Sequence, residues 1–356
     1  MAHYLCIGTY TEPILFGTGE VLEGKGEGLY LCTFENGNLC VIQTLPMRNP
    51  SYFCINKKNN KIYAVNELKT FHNESSGGIS EVDYADGTMK LVAEDTTGGT
   101  DPCHIEIAPN GKFLSVANFA SGAVSIFELD DNGHLSGKKT VFQHWGNSIH
   151  PVRQKSPHAH STIFFPHESR MFVPDLGLDK VKAYRYHGSI VEADMINDII
   201  VQPGSGPRFG EFSVDGKHLY VIDEIGCSIE HYTIVCGKVE FSSIVSTLPT
   251  EFNQENNICS DMHIASNQKY LYASNRGHDS LCCYSIDSAG NLKLIQRISC
   301  EGRTPRNFCI DPTGNYLLVG NQDSDTIIIF TILANGKLVN PTKAPFPSPV
   351  CIRFFL

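Results

Sequence analysis

Arg306-Asn307-Phe308-Cys309-Ile310-Asp311-Pro312-Thr313-Gly314-Asn315-Tyr316-Leu317-Leu318-Val319-Gly320, then Thr326-Ile327-Ile328-Ile329-Phe330, Asn335-Gly336 and Lys337-Leu338-Val339 read as four strands joined by tight turns. The runs are β-branched or aromatic, as half-buried pleated strands require. Two of the turns, Thr313-Gly314 and Asn335-Gly336, end in glycine, which takes the positive φ of a hairpin turn at no steric cost. The unit recurs along the chain. Its outer turn appears at Asn36-Gly37, Asp86-Gly87, Asn132-Gly133, His187-Gly188, Cys236-Gly237, Ala289-Gly290 and Asn335-Gly336, roughly fifty residues apart, within the period of radial repeats.

A second series of turns falls between these, at Asn59-Asn60, Asn110-Gly111, Glu168-Ser169, Asp215-Gly216, Asn267-Gln268 and Thr313-Gly314. The first series has seven members and the second six. The chain ends on Pro349-Val350-Cys351-Ile352-Arg353-Phe354, a strand of the type that precedes the second turn. It begins with Tyr4-Leu5-Cys6-Ile7-Gly8, the type that follows it. The missing turn is therefore the break between the termini. The pattern predicts an all-β, seven-bladed β-propeller of four-stranded antiparallel blades, a single domain over residues 1–356. The N- and C-terminal strands close the ring within one blade and leave no open sheet edge there.

Composition limits the function classes. A net charge of −10 argues against nucleic acid and anionic membrane as partners. No apolar run has the length of a membrane span, and Met1-Ala2-His3-Tyr4 has neither a basic start nor an apolar signal core. Thirteen cysteines, most inside predicted strands and without a paired C-x-x-C set, read as small buried hydrophobes in a reducing cytoplasm. Adjacent Cys282 and Cys283 should face opposite sides of their sheet. No surface stripe declares an oligomeric state.

Antiparallel pairing puts the start of each innermost strand and the end of its neighbour at one mouth of the channel. The starts read Ser51, Cys103, His160, Arg208, Asp261, Arg306 and Val350 around the ring. At the ends, Asn66, Asn118, Asp175, Asp223, Asn275 and Asn321 recur, as residues with a loop-capping duty would. The residues after them, Glu67, Phe119, Leu176, Glu224, Arg276 and Gln322, break the repeat, with Tyr10 in the split blade. Function can be written there. His160, Arg208, Glu224, Arg276 and Arg306 thus share a mouth. Two like charges about 6 Å apart at an effective dielectric near 20 repel by roughly 3 kcal/mol, so such a set needs an acid or an anionic ligand to offset it. Glu224 and Glu67 supply part. Alternatively, Arg208 and Arg306 pair with Asp223, Asp261 or Asp323 and lock blades together. His158 and His160, two apart, have a spacing that metals use, but no third ligand stands in register, so no metal and no cofactor is expected. His158 reads as a support for the loop.

A histidine beside an acid and several arginines suits proton transfer on an anionic substrate. Arginine matches phosphate or carboxylate oxygens and can stabilise an oxyanion. There is no G-x-S-x-G elbow and no P-loop, and nothing activates Cys103.

The segments Ser156-Pro157-His158-Ala159-His160-Ser161, Gly206-Pro207-Arg208, Ser274-Asn275-Arg276-Gly277-His278-Asp279-Ser280 and Thr304-Pro305-Arg306 with Asp311-Pro312-Thr313-Gly314 resemble the lactonase family of seven-bladed propellers over essentially the full length. That family includes propeller-type 6-phosphogluconolactonases and 3-carboxy-cis,cis-muconate cyclases. The resemblance implies a metal-free site at one channel mouth. One His, two Arg and one Glu would be catalytic, here His160, Arg208, Glu224 and Arg276, with Arg306 a rival for the second arginine. Arg306, Gln322, Glu67 and His158 would bind substrate, Arg306 and Gln322 gripping a phosphate or other acidic group. The chain departs from the family pattern at Asp223-Glu224, where Asn-Glu is usual, and at Arg306-Asn307, where Arg-His is common. The expected activity is hydrolysis of a small anionic sugar lactone, most simply 6-phosphogluconolactone. The alternatives are a lactonising cycloisomerase and a non-enzymatic binding propeller with an apolar rim.

Overall fold

A computed structural model describes residues 2–85 and 87–355 of the chain. Asp86, the first half of one predicted turn, lies outside the described residues, as does Met1. Seven antiparallel sheets follow one another in sequence around a channel. The blade decoded above consists of Pro305–Ile310, Tyr316–Asn321, Thr326–Ile332 and Leu338–Pro345, from the channel outward. All seven hairpin glycines hold positive φ, from 62° at Gly188 to 82° at Gly37. The turn chemistry thus dictates the repeat.

His3–Thr9 pairs with Pro349–Phe354 on one side and with Gly28–Glu35 on the other, so the termini share a blade. One blade departs from four full strands. Beyond Lys180–His187 its outer edge is divided between Ile190–Ala193 and Ile199–Ile200, both paired to the same strand. The core lies between sheets. Cys282 packs in the cluster around Leu219, Val221 and Met262, whereas Cys283 packs with Leu317, Phe330 and Leu338 across the next interface. The thirteen cysteines are free thiols. No helix among the described residues is long and apolar enough to cross a membrane.

Two features position the mouth. Four inner strands begin on a proline, Pro102, Pro207, Pro305 and Pro349, a residue that tolerates the first place of a strand because it needs no ladder donor. The next residue is skipped by the register: Cys103 between Pro102 and His104, Arg208 between Pro207 and Phe209, Arg306 between Pro305 and Asn307. Such a bulge re-aims one side chain, here into the channel. The recurring Asn118, Asp175, Asp223, Asn275 and Asn321 are fully buried and spend their side chains on nearby groups. Asn118 donates to the Ala123 carbonyl, Asn321 to that of Cys300, and Asp223 accepts from Ser228.

Candidate active site

Glu224 is the hub of the mouth. Its amide donates to the Gly206 carbonyl (2.8 Å) and its carbonyl accepts from Cys259 N–H (3.0 Å), so the backbone is held between two blades. Oε2 meets Arg208 Nε at 2.9 Å and Arg276 Nη2 at 2.8 Å, while Oε1 pairs with Arg153 Nη2. His160 Nε2 lies 3.7 Å from Oε2. Arg208 also donates to the Ser260 carbonyl, and Arg276 to that of Cys259 (3.0 Å). These bonds fix both guanidinium groups in place. The expected quartet of His160, Arg208, Glu224 and Arg276 is therefore assembled in one cluster.

Arg306 stands apart from it. Its Nη2 is 3.8 Å from Glu67 Oε1, and its guanidinium lies 5.3 Å from the ring centroids of both Tyr10 and Phe16. Tyr10 donates from its hydroxyl to Glu67 Oε2 (2.8 Å). Arg276, not its rival, is thus the second arginine on Glu224. Neither Arg208 nor Arg306 pairs with Asp223, Asp261 or Asp323. Gln322 is buried and donates to Asp323 (2.7 Å), while its amide oxygen has no partner. His158 stacks on Phe119 (4.6 Å between centroids) and its Nδ1 hydrogen-bonds the Phe119 carbonyl (2.9 Å), while His160 meets the same ring edge-on.

All eight expected site residues except Arg208 line a funnel of about 1100 Å³. Arg208 lines the narrow continuation beneath, which His160, Cys103 and Arg306 share with the funnel. Two pieces of the wall were not foreseen. A hairpin, Ile14–Leu15 paired with Val21–Leu22, overhangs the opening with Phe16 and Gly17. Arg153 comes from the segment 144–162 between two blades, outside any strand. The wider step from the Asn110-Gly111 turn to Glu168-Ser169 than from there to Asp215-Gly216 was the available signal of an insertion.

Electrostatics follow from this packing. Burial, reinforced by Arg208, pushes the His160 imidazole well below its ordinary value, so it is neutral and able to accept a proton at pH 7. Burial alone would raise the Glu224 acid, but Arg153, Arg276 and Arg208 outweigh it and hold the group well below the carboxylate range. Burial, and then repulsion by Arg208, Arg306 and Arg153, brings Arg276 down to about 9, still charged at neutral pH. Cys103 is raised by burial and remains a thiol. Among the described residues no group of three or more His, Cys, Asp or Glu is arranged to hold a metal ion.

Asp261 faces a different neighbourhood, deeper in the channel. It accepts from Asn307 (2.6 Å) and the Phe308 amide (3.2 Å) and meets His263 Nε2 at 3.1 Å, while His263 Nδ1 meets Glu211 at 3.2 Å. Nearby, Arg353 bridges Glu106 (3.2 Å) and the Tyr52 hydroxyl (2.7 Å).

Comparison with known proteins agrees with this architecture. A 6-phosphogluconolactonase of Bacillus subtilis is 27% identical, covering 98% of this chain and 97% of that protein. Another of that name from Formosa agariphila is 35% identical over 82% of this chain and 83% of its own length. A solved periplasmic gluconolactonase of Pseudomonas aeruginosa superposes with a TM-score of 0.90 at 26% identity, covering 99% of each chain. Residues 4–354 match the family described as lactonase, 7-bladed beta-propeller, and the chain belongs to that family.

Proposed function

We propose that the protein hydrolyses a small anionic sugar lactone, 6-phosphogluconolactone, to its open hydroxy acid. One observation carries the reading: a neutral imidazole at the foot of an open funnel, 3.7 Å from an ionised glutamate that three guanidinium groups surround. The relatives named 6-phosphogluconolactonase support the same substrate class. In this mechanism His160 takes a proton from water as the water oxygen attacks the lactone carbonyl. Arg208 and Arg276 stabilise the oxyanion that forms, and Glu224 stabilises the imidazolium. Collapse breaks the bond to the ring oxygen, and His160 returns its proton to that oxygen. The new acid then ionises and releases one proton. Arg306, Gln322, Glu67 and His158 line the walls against the sugar. Side chains of the chain itself carry every proton in this scheme. A cytoplasmic setting belongs to the same reading, supported by thirteen free thiols.

The three guanidinium groups around Glu224 also suit a polycarboxylate, so a lactonising cycloisomerase would keep this site and change the reaction. The exposed Trp145, Ile149 and Val152 on the inserted segment favour instead a partner-binding propeller. The deciding assay offers purified protein phosphorylated, plain and carboxylated lactones and a carboxymuconate. Lactone loss is expected with the phosphorylated compound. His160→Ala and Glu224→Gln should each lower that rate by about 10³ or more while the fold persists. Near-normal hydrolysis by both variants would refute the mechanism.

A further inference from the structure

We infer that Arg153 is the specificity-determining residue for the acidic group of the substrate, and that in the free protein Glu224 occupies its place. The inference rests on the lactonase reading above and deepens it. Charge accounting comes first. Glu224 meets Arg153, Arg208 and Arg276, with His160 neutral beside it. Three cations thus face one anion. Across the funnel Arg306 is already matched by Glu67 and Lys69 by Asp101 (3.9 Å), while Arg303 donates to the Asp323 carbonyl (3.3 Å). The unbalanced positive charge lies on the Glu224 side, so a dianion such as a phosphoryl group is drawn there. Arg306 and Gln322 are then left for the neutral oxygens of the sugar, not for the phosphate as the sequence suggested.

Of the three cations Arg153 is the one able to turn toward a ligand. Arg208 and Arg276 are each tied to a backbone carbonyl as well as to Oε2. Arg153 makes one side-chain hydrogen bond, to Oε1. Its backbone, by contrast, is rigidly presented. The next residue, Gln154, is fully buried and donates from Nε2 to the Leu176 carbonyl (2.8 Å) and to Asp179 (2.7 Å). Asp179 also accepts from the amides of Gly204 (2.6 Å) and Gly206 (2.8 Å), just ahead of Arg208. One carboxylate therefore sets Arg153 against Arg208. Above them Gly17 of the overhanging hairpin leaves room for the guanidinium, since a Cβ there would stand 3.4 Å from Arg153 Nε and 3.3 Å from Phe119.

The arrangement couples recognition to chemistry. When the substrate's anion takes Arg153, Glu224 keeps Arg208, Arg276 and the more distant Arg306 as its cations and loses the partner of Oε1. Its affinity for a proton, and its pull on His160, rise when substrate is bound. A lactone without the acidic group leaves Arg153 where it is.

The test compares wild type, Arg153→Gln and Arg153→Lys on 6-phosphogluconolactone and on the unphosphorylated gluconolactone, from about pH 4 to pH 8. Arg153→Gln should cut the phosphorylated-over-plain ratio of kcat/KM by about twentyfold, mainly through KM, and Arg153→Lys should restore part of it. The acid limb of kcat/KM should move to higher pH in Arg153→Gln. An equal loss on both lactones, with the ratio intact, would make Arg153 a strut for Glu224 and overturn the inference. Thermal protection by the products separates this from failure of the lactonase reading. 6-Phosphogluconate should raise the wild-type Tm more than gluconate does, and Arg153→Gln should erase the difference, whether or not either lactone is turned over. Equal protection by both products in wild type would also overturn it.

Discussion

Two ionic clusters line the channel, a buried one at the open mouth and a half-buried one deeper, and their charges are arranged in opposite ways. At the foot of the mouth four arginines, Arg153, Arg208, Arg276 and Arg306, stand around Glu224 and Glu67, while Lys69 with Asp101 and other charged residues line the wall above. Below, His263 and Arg353 are met by Asp261, Glu211 and Glu106, and backbone and amide donors fill the remaining lone pairs. A cluster with its cations fully matched holds strands together. One with cations left over is unfinished until a ligand arrives, and it opens onto a funnel that admits one. Arg208 and Arg306 at bulged strand starts serve the first and Asp261 at another serves the second, so the difference lies in which side chains stand beside them.

Breaking the lower cluster should cost the most. Asp261→Asn leaves the His263 imidazolium short of its main counter-charge and weakens the bonds from Asn307 and Phe308, and should destabilise the fold by about 2–3 kcal/mol in urea unfolding. At the mouth the balance reverses. Arg276→Gln removes one of several mutually repelling cations, so turnover should fall by about 10²–10³ while stability stays within about 1 kcal/mol of wild type. A large loss of stability there would erase the contrast. The smallest effect is a pH dependence. Burial works against the charge of His263, but Asp261 and Glu211 overcome it and lift the group to about 10, above its ordinary value of 6.5. The folded state therefore binds the proton more tightly than the unfolded chain. The stabilisation is complete below about pH 6.5 and disappears as pH rises through 10. With 26% of the His263 side chain in solvent, its worth is discounted to about 1–2 kcal/mol. Unfolding midpoints measured from pH 6.5 to 10 should fall in wild type and stay flatter in Asp261→Asn; parallel curves would show that His263 holds no excess proton.

The ring was legible because its turns are covalent statements: glycine after a turn residue at a fixed period admits few other structures, and the six-against-seven count locates the closure. The candidate quartet was legible for a related reason. Once the repeat is aligned, Glu224 and Arg276 stand where neighbouring blades have unrelated residues, and His160 and Arg208 occupy equivalent strand starts. Arg153 escaped because it belongs to no blade, and alignment by repeat assigns it no position. The hairpin with Phe16 and Gly17 escaped likewise, as an insertion between two strands of the split blade. Asp261 was aligned with the residues of the mouth, but it lies in the narrow continuation below and among other partners. Two residues, Ser260 and Asp261, occupy the irregular stretch of its strand where other blades have one, which turns the carboxylate toward Asn307 and His263.

In five blades the residue that anchors the loop is followed at once by a residue that lines the funnel, as in Asn66-Glu67, Asn118-Phe119 and Asn275-Arg276, whereas Leu176 and Tyr10 at the equivalent places are sealed in the core. The anchor is sealed away and the facing residue is free to vary. A laboratory library randomised at Glu67, Phe119 and Gln322 would therefore explore new substrate tastes with little risk of unravelling the wheel. The same separation of duties offers natural selection a route to many chemistries from a single frame.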